Sequence, residues 1–311
     1  MEQLYARDVY GKTLVELGKK DPRVVVVDAD LSGSTRTALF AKEFPRRFFN
    51  FGVAEQNMMA TAGGIASCGK IVFASTFAMF ASVRALDQVR NTISYNNLNV
   101  KIVATHAGIT VGEDGASHQA LEDVNIMRAI PNMHIVVPAD GPETRDAVIA
   151  AFEHDGPFYI RLGRSKVVSI EKRTKFVLGK GYRIEEGKDL AIIACGLMVN
   201  EAIAANEILK KDNISATIVN MHTIKPIDAD LIVELAKKHR KLLVCEEHQV
   251  AGGLYSAVVE VLARTYPVRV ERIGIEDRFG QSGSPAELME FYGLTAGSIA
   301  KKAQEFLRQQ G

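Results

Sequence analysis

Four short stretches of the chain concentrate side chains able to move protons or grip anions. The first, Phe49-Asn50-Phe51-Gly52-Val53-Ala54-Glu55-Gln56-Asn57, runs into a segment that includes Ala60, Ala62, Gly63, Gly64 and Ala66. Small residues allow close approach of helix and backbone, so Glu55 is expected near the start of a tightly packed helix with little water around its carboxylate. A group so placed either complements the helix dipole or, with its pKa raised by burial, shares a proton with a ligand nitrogen. The second stretch, Ser75 to Gln88, places Phe77 and Phe80 three residues apart after an apolar strand. If the stretch is helical they share one face, at the strand end where open α/β sheets bind ligands.

The third stretch, Thr105 to Gln119, again follows a strand and gathers His106, Glu113, Asp114 and His118 among several glycines. Its two histidines lack the helical spacing of metal ligands, which leaves proton transfer or substrate recognition as the functional reading. The fourth is Arg161-Leu162-Gly163-Arg164 at the end of the strand Phe158-Tyr159-Ile160. A guanidinium fork matches phosphate geometry, and strand alternation lets only one of the two face a cleft. Arg164, beyond the strand, is the expected one.

The elements that must position these groups are legible as alternation. Short β-branched runs (Val24 to Val27, Ile71 to Phe73, Val100 to Val103, His134 to Val137, Phe158 to Ile160) are separated by helix-like spacing, which predicts a parallel α/β sheet covered on both faces. Between about Arg164 and Lys188 the chain becomes Lys-rich with Gly179, Gly181 and Gly187. This stretch is expected to contain a short hairpin and a linker, giving a first α/β domain over 1–170, the linker over 171–188, and a smaller α/β domain over 189–311. The second domain's strands are expected at Ala191 to Ala194, Thr217 to Val219, Leu242 to Val244 and Val268 to Val270.

Composition narrows the function classes. With 38 Lys and Arg against 37 Asp and Glu, the formal net charge of +1 offers no global field for nucleic acid or an anionic membrane. Three widely spaced cysteines indicate neither a disulfide framework nor a zinc site, and a reducing cytoplasm fits. The weakly charged stretch near 58–83 is broken by Lys70, and no membrane span is expected.

In this order and spacing the motifs resemble the C-terminal half of transketolases, thiamine diphosphate enzymes that move two-carbon ketol units between sugar phosphates. The resemblance is carried by Asp28-Ala29-Asp30-Leu31-Ser32, Gly52-Val53-Ala54-Glu55-Gln56-Asn57, Ser75-Thr76-Phe77, Gly112-Glu113-Asp114-Gly115, Pro138-Ala139-Asp140-Gly141, and Cys245-Glu246-Glu247-His248 with Gly252-Gly253. It implies a pyrimidine-binding domain followed by a C-terminal α/β domain. It further implies that Glu55 hydrogen-bonds the aminopyrimidine N1′, favouring the imino tautomer that removes the thiazolium C2 proton. Phe77 and Phe80 resemble the aromatic pocket around that ring, lined also by Asp30, Leu31 and Val53. His118 and His106 resemble catalytic groups on the substrate side, where Asp114, Arg164 and Ser34 would contact the sugar phosphate.

The resemblance also implies a partner. Such enzymes hold the diphosphate through Mg²⁺ with a Gly-Asp-Gly followed by a distant Asn, and this sequence contains no Gly-Asp-Gly. No metal ligand is therefore expected in this chain. An N-terminal transketolase subunit would supply the site, in an α2β2 assembly. Other readings are a β chain of a 2-oxo acid dehydrogenase, a fragment like deoxyxylulose phosphate synthase, and a non-catalytic scaffold subunit. The Gly112 to Gly115 loop with His118 favours transketolase, while Ala54, Gln56, Ala107 and Val83 depart from its common substrate-side pattern.

Overall fold

The computed structural model describes residues 3–309. The first domain contains β1 (Gln3–Tyr5), β2 (Val24–Asp28), β3 (Phe48–Asn50), β4 (Ile71–Phe77), β5 (Val100–Ala107), β6 (His134–Val136), β7 (Phe158–Gly163) and β8 (Lys166–Val168). The second contains β9 (Tyr182–Glu185), β10 (Leu190–Ala194), β11 (Ala216–Asn220), β12 (Thr223–Lys225), β13 (Lys241–Gln249) and β14 (Arg269–Ile275). Each domain is a mainly parallel sheet with helices, the α/β class expected.

The apolar runs are explained by burial on both faces. Every residue of β2 is buried, and its side chains alternate between two cores. Val24 and Val26 pack with Tyr10, Leu14 and Leu17 of the helix Ala6–Lys20. Val25 and Val27 pack with Met58, Met59, Ala62 and Ala66 of the helix Glu55–Ser67. A strand with helices on both sides needs no polar face, which is why its sequence does not alternate.

The first sheet runs β12-β6-β7-β5-β4-β2-β3 and the second β14-β13-β10-β11-β9. Two features correct the expected domain plan. Tyr182–Glu185, inside the expected linker, is an antiparallel edge strand beside β11. Thr223–Lys225, inside the expected second domain, crosses to the first sheet and pairs antiparallel with β6. The hairpin expected between about Arg164 and Lys188 does not form; β8 pairs instead with β1 near the N-terminus. Both added strands cover edges of parallel sheets that would otherwise leave backbone groups unpaired.

The parallel register brings several strand ends level. Asp28 stands opposite both Asn50 and Ser75, Phe77 opposite Thr105, and Ala107 opposite Gly163. The segments carrying Asp30, Glu55, Phe80, His118 and Arg164 therefore all leave the sheet at its carboxyl end, where open α/β sheets place their ligands. No helix among the described residues is long and apolar enough to cross a membrane.

Candidate active site

The turn after β2 is fixed by Asp28. Its buried carboxylate accepts hydrogen bonds from the Leu31 backbone N–H at 2.6 Å and from the hydroxyls of Thr35 and Thr37, each at 2.8 Å. Asp30 adopts a positive φ of 64° and donates its N–H to Asn50 Oδ1 at 3.0 Å. Asp30 and Leu31 thereby line a cleft of about 440 Å³ together with Val53, Glu55, Phe80, Arg84 and His118.

Glu55 opens its helix and is only 1% exposed. Its carboxylate is not left to the helix dipole alone: Arg84 Nη1 donates to Oε1 at 2.9 Å and to Oε2 at 3.0 Å. The Arg84 side chain is 48% exposed, and its guanidinium lies over the Phe80 ring, 4.3 Å from the centroid. Removing Arg84 would leave the buried Glu55 carboxylate without its ionic partner.

Phe77 and Phe80 do not share a regular helix. Phe77 is the last residue of β4, and Phe80 begins a π-helical turn through Arg84 that is closed by Ala85 N–H donating to the Phe80 carbonyl. The rings are nevertheless near-parallel, with centroids 5.9 Å apart. Phe77 is 7% exposed and stacks on His106 at 3.9 Å, so it backs the pocket while Phe80 presents a ring to the cleft. π-Helical turns of this kind recur at functional sites because the extra residue re-aims neighbouring side chains.

His106 has a positive φ of 55° and both ring nitrogens engaged. Nε2 faces Arg7 Nη1 at 3.3 Å and Nδ1 faces Thr105 Oγ1 at 2.9 Å. Arginine can only donate, so Nε2 is the acceptor and the proton sits on Nδ1. Burial, followed by the charges of Arg7 and Arg164, pushes the pKa of His106 down to about 3. The imidazole is thus held neutral, with both ring nitrogens engaged within the chain. His118 is half-buried with its ring edge-on to Phe80 at 5.3 Å, and its Nδ1 lies 3.0 Å from Ser117 Oγ.

The two arginines differ in burial. Arg161 is buried and paired with Asp123 Oδ2 at 2.9 Å, whereas Arg164 reaches Glu113 at 3.2 Å and Asp114 at 3.7 Å and also bonds the Val111 carbonyl. The Ser34 carbonyl accepts from Arg7 at 3.4 Å. Arg7 and Arg164 both lie near neutral His106, and none of the three lines the cleft. Neither Arg7, in the first turn of a helix, nor Arg84 stood out in the sequence: Arg7 has no motif around it, and in the stretch Ser75 to Gln88 the aromatic spacing singles out Phe77 and Phe80.

The model of the transketolase pyrimidine-binding domain matches residues 2–168. The chain belongs to the transketolase family. The transketolase C-terminal domain matches residues 179–299, so the second domain of the fold is also a transketolase domain. A chain of Methanocaldococcus jannaschii, provisionally named a transketolase C-terminal section, is 54% identical over 98% of this chain and 96% of its own length. A 6-deoxy-6-sulfo-D-fructose transketolase subunit of a Clostridium species is 41% identical over 98% of this chain and 95% of its own. The 1-deoxy-D-xylulose-5-phosphate synthase of Dictyoglomus turgidum is 36% identical over 95% of this chain but only 48% of its own. Among solved structures, a split-gene transketolase described as an inactive β4 tetramer superposes with a TM-score of 0.90 at 48% identity, covering 98% and 99% of the two chains.

Transketolases use thiamine diphosphate, and the cleft fits the pyrimidine half of that cofactor. A buried carboxylate beside an aromatic face suits a flat ring carrying a basic nitrogen. Among the described residues, no three His, Cys, Asp or Glu side chains converge as a metal-binding group.

Proposed function

We propose that this chain is the C-terminal subunit of a two-subunit transketolase, transferring a two-carbon ketol unit from a ketose phosphate to an aldose phosphate. The observation that carries the reading is Glu55, a buried carboxylate opening a helix within an aromatic cleft at the sheet's carboxyl end. Bound thiamine diphosphate would supply the carbon nucleophile that takes up the two-carbon unit. Glu55 would hold the proton on the pyrimidine nitrogen, a role that requires Arg84 to release its two oxygens. His118, beside Phe80, would exchange protons with substrate hydroxyls, and Asp114 would accept a hydrogen bond from one of them. Neutral His106 would orient the sugar, while Arg7 and Arg164, next to Ser34, would meet the phosphate.

A partner chain is part of this proposal. The sequence has no Gly-Asp-Gly for a Mg²⁺-diphosphate site, and relatives that it covers almost end to end bear names of sections or subunits. An α2β2 assembly in the cytoplasm would follow, with Mg²⁺ ligands on the partner. The resemblance to half of 1-deoxy-D-xylulose-5-phosphate synthase supports a second reading, carboligation from a 2-oxo acid.

One reconstitution separates these readings. The chain is assayed alone and with an N-terminal transketolase subunit, supplying thiamine diphosphate, Mg²⁺, a ketose phosphate and an aldose phosphate. Ketol transfer only in the mixture is the expected result. Full activity from this chain alone contradicts the two-subunit reading, and pyruvate decarboxylation without ketol transfer favours the second.

A further inference from the structure

The loop that leaves β5 carries Asp114 and His118, yet much of its support comes from the second domain. Gly108 adopts a φ of +86°, and a Cβ built there would lie 2.3 Å from the Glu247 carboxyl carbon. Two residues on, the Thr110 N–H donates to Glu247 Oε1 at 2.7 Å. Further along the loop, a Cβ on Gly115 would lie 2.6 Å from Ser282 Oγ, and Gln119 Nε2 donates to the Gln281 carbonyl at 2.9 Å. The strand bearing Glu247 is fixed in turn: buried Arg161 donates to the Glu247 carbonyl at 3.0 Å and the Ala120 carbonyl at 3.1 Å while paired with Asp123. Every residue lining the cleft lies in the first domain.

We propose that Glu247 is a positioning residue for the reaction: its carboxylate, filling the space left by Gly108 and gripping the Thr110 amide, sets where Asp114 and His118 stand. The consequence for catalysis rests on the transketolase reading; the clamp itself does not. Loops that carry site residues need such external support, because misplacement by a fraction of an ångström costs rate without touching the reacting atoms. The second domain thus shapes a cleft to which it contributes no wall. Glycine is required at 108 because any side chain would take the volume of the clamping carboxylate.

Two substitutions separate reach from charge. Glu247→Gln keeps an acceptor oxygen at the same distance from Thr110 and loses the charge; Glu247→Asp keeps the charge and withdraws the oxygen by one methylene. Hydrogen exchange on the purified chain should show residues 108–119 exchanging about tenfold faster in Glu247→Asp and close to wild type in Glu247→Gln, with β10 and β4 unchanged in both. In the reconstituted two-chain enzyme, Glu247→Asp should lower kcat and raise the donor KM at unchanged thiamine diphosphate affinity, and Glu247→Gln should restore both. Faster exchange in Glu247→Gln than in Glu247→Asp, no change in either, or a uniform loss across both sheets would overturn the clamp. Absence of ketol transfer in the wild-type mixture would contradict the transketolase reading instead, with the exchange experiment still deciding the clamp.

Discussion

Corresponding places in the two domains differ in what they leave open. At the carboxyl ends of β2 and β4, the first domain presents a cleft of about 440 Å³ with Glu55 and Phe80 in its lining. At the carboxyl ends of β10 and β13, the second domain closes against the first, leaving a void of about 10 Å³ where Cys195, Glu246, Glu247 and His248 meet Val124, Val137 and Arg161. The closed end is not poor in reactive residue types. Burial disarms them: it pushes both the Cys195 and Cys245 thiols up and His248 down to about 4. On the proposed reading, two sheets of similar build carry different duties, one holding chemistry and the other holding the loop that serves it.

If the closed end is a buttress, breaking its central ion pair should be the most damaging change outside the cleft. Arg161→Met leaves Asp123 charged and buried, and should cost about 3–5 kcal/mol of stability in urea unfolding. A loss within experimental error would mean that water reaches this seam and that the two ends are less different than they look. At the open end, Arg84→Met removes the present occupant of Glu55. With about 1 kcal/mol of competition gone, thiamine diphosphate should bind about fivefold tighter by calorimetry, while the cofactor-free chain melts at a lower temperature. Weaker cofactor binding would make Arg84 a ligand of the cofactor and not its competitor.

A pH-dependent effect lies at the seam between the domains. Glu143 accepts from the Ala139 N–H at 2.6 Å and from Asn220 Nδ2 at 2.9 Å, and burial pushes its pKa from 4.5 up to about 7. The folded chain therefore binds this proton more tightly than the unfolded one. Its stability contribution is full below pH 4.5 and declines as pH rises through 7. Glu143→Gln should abolish that decline, so the variant gains on wild type between about pH 5 and 8 in parallel denaturation curves. Identical pH profiles would show that the carboxyl is solvated in both states.

The strands were legible because parallel sheets buried on both faces demand continuous apolar runs, as Val24 to Val27 and Leu190 to Ala194 illustrate. β12 was not, because Thr223, Ile224 and Lys225 make too short a run to signal that they pair with the other domain's sheet. Glu55 was legible through the small residues that follow it. Its engagement by Arg84 was not, since a π-helical turn re-aims that side chain and ordinary helical spacing does not describe it. The unequal fates of Arg161 and Arg164 follow from where β7 ends, the first lying inside the strand and the second beyond Gly163, but the partner of the buried one, Asp123, lies 38 residues away and carries no local signal.

The central claim is that the chemistry of this chain resides at Glu55. It is tested most directly by the rate at which thiamine diphosphate bound to the reconstituted complex exchanges its C2 proton for deuterium, followed by quenched NMR. In Glu55→Gln, with cofactor occupancy matched by calorimetry, exchange should slow by about 10²–10⁴-fold. An unchanged rate at equal occupancy would contradict the account.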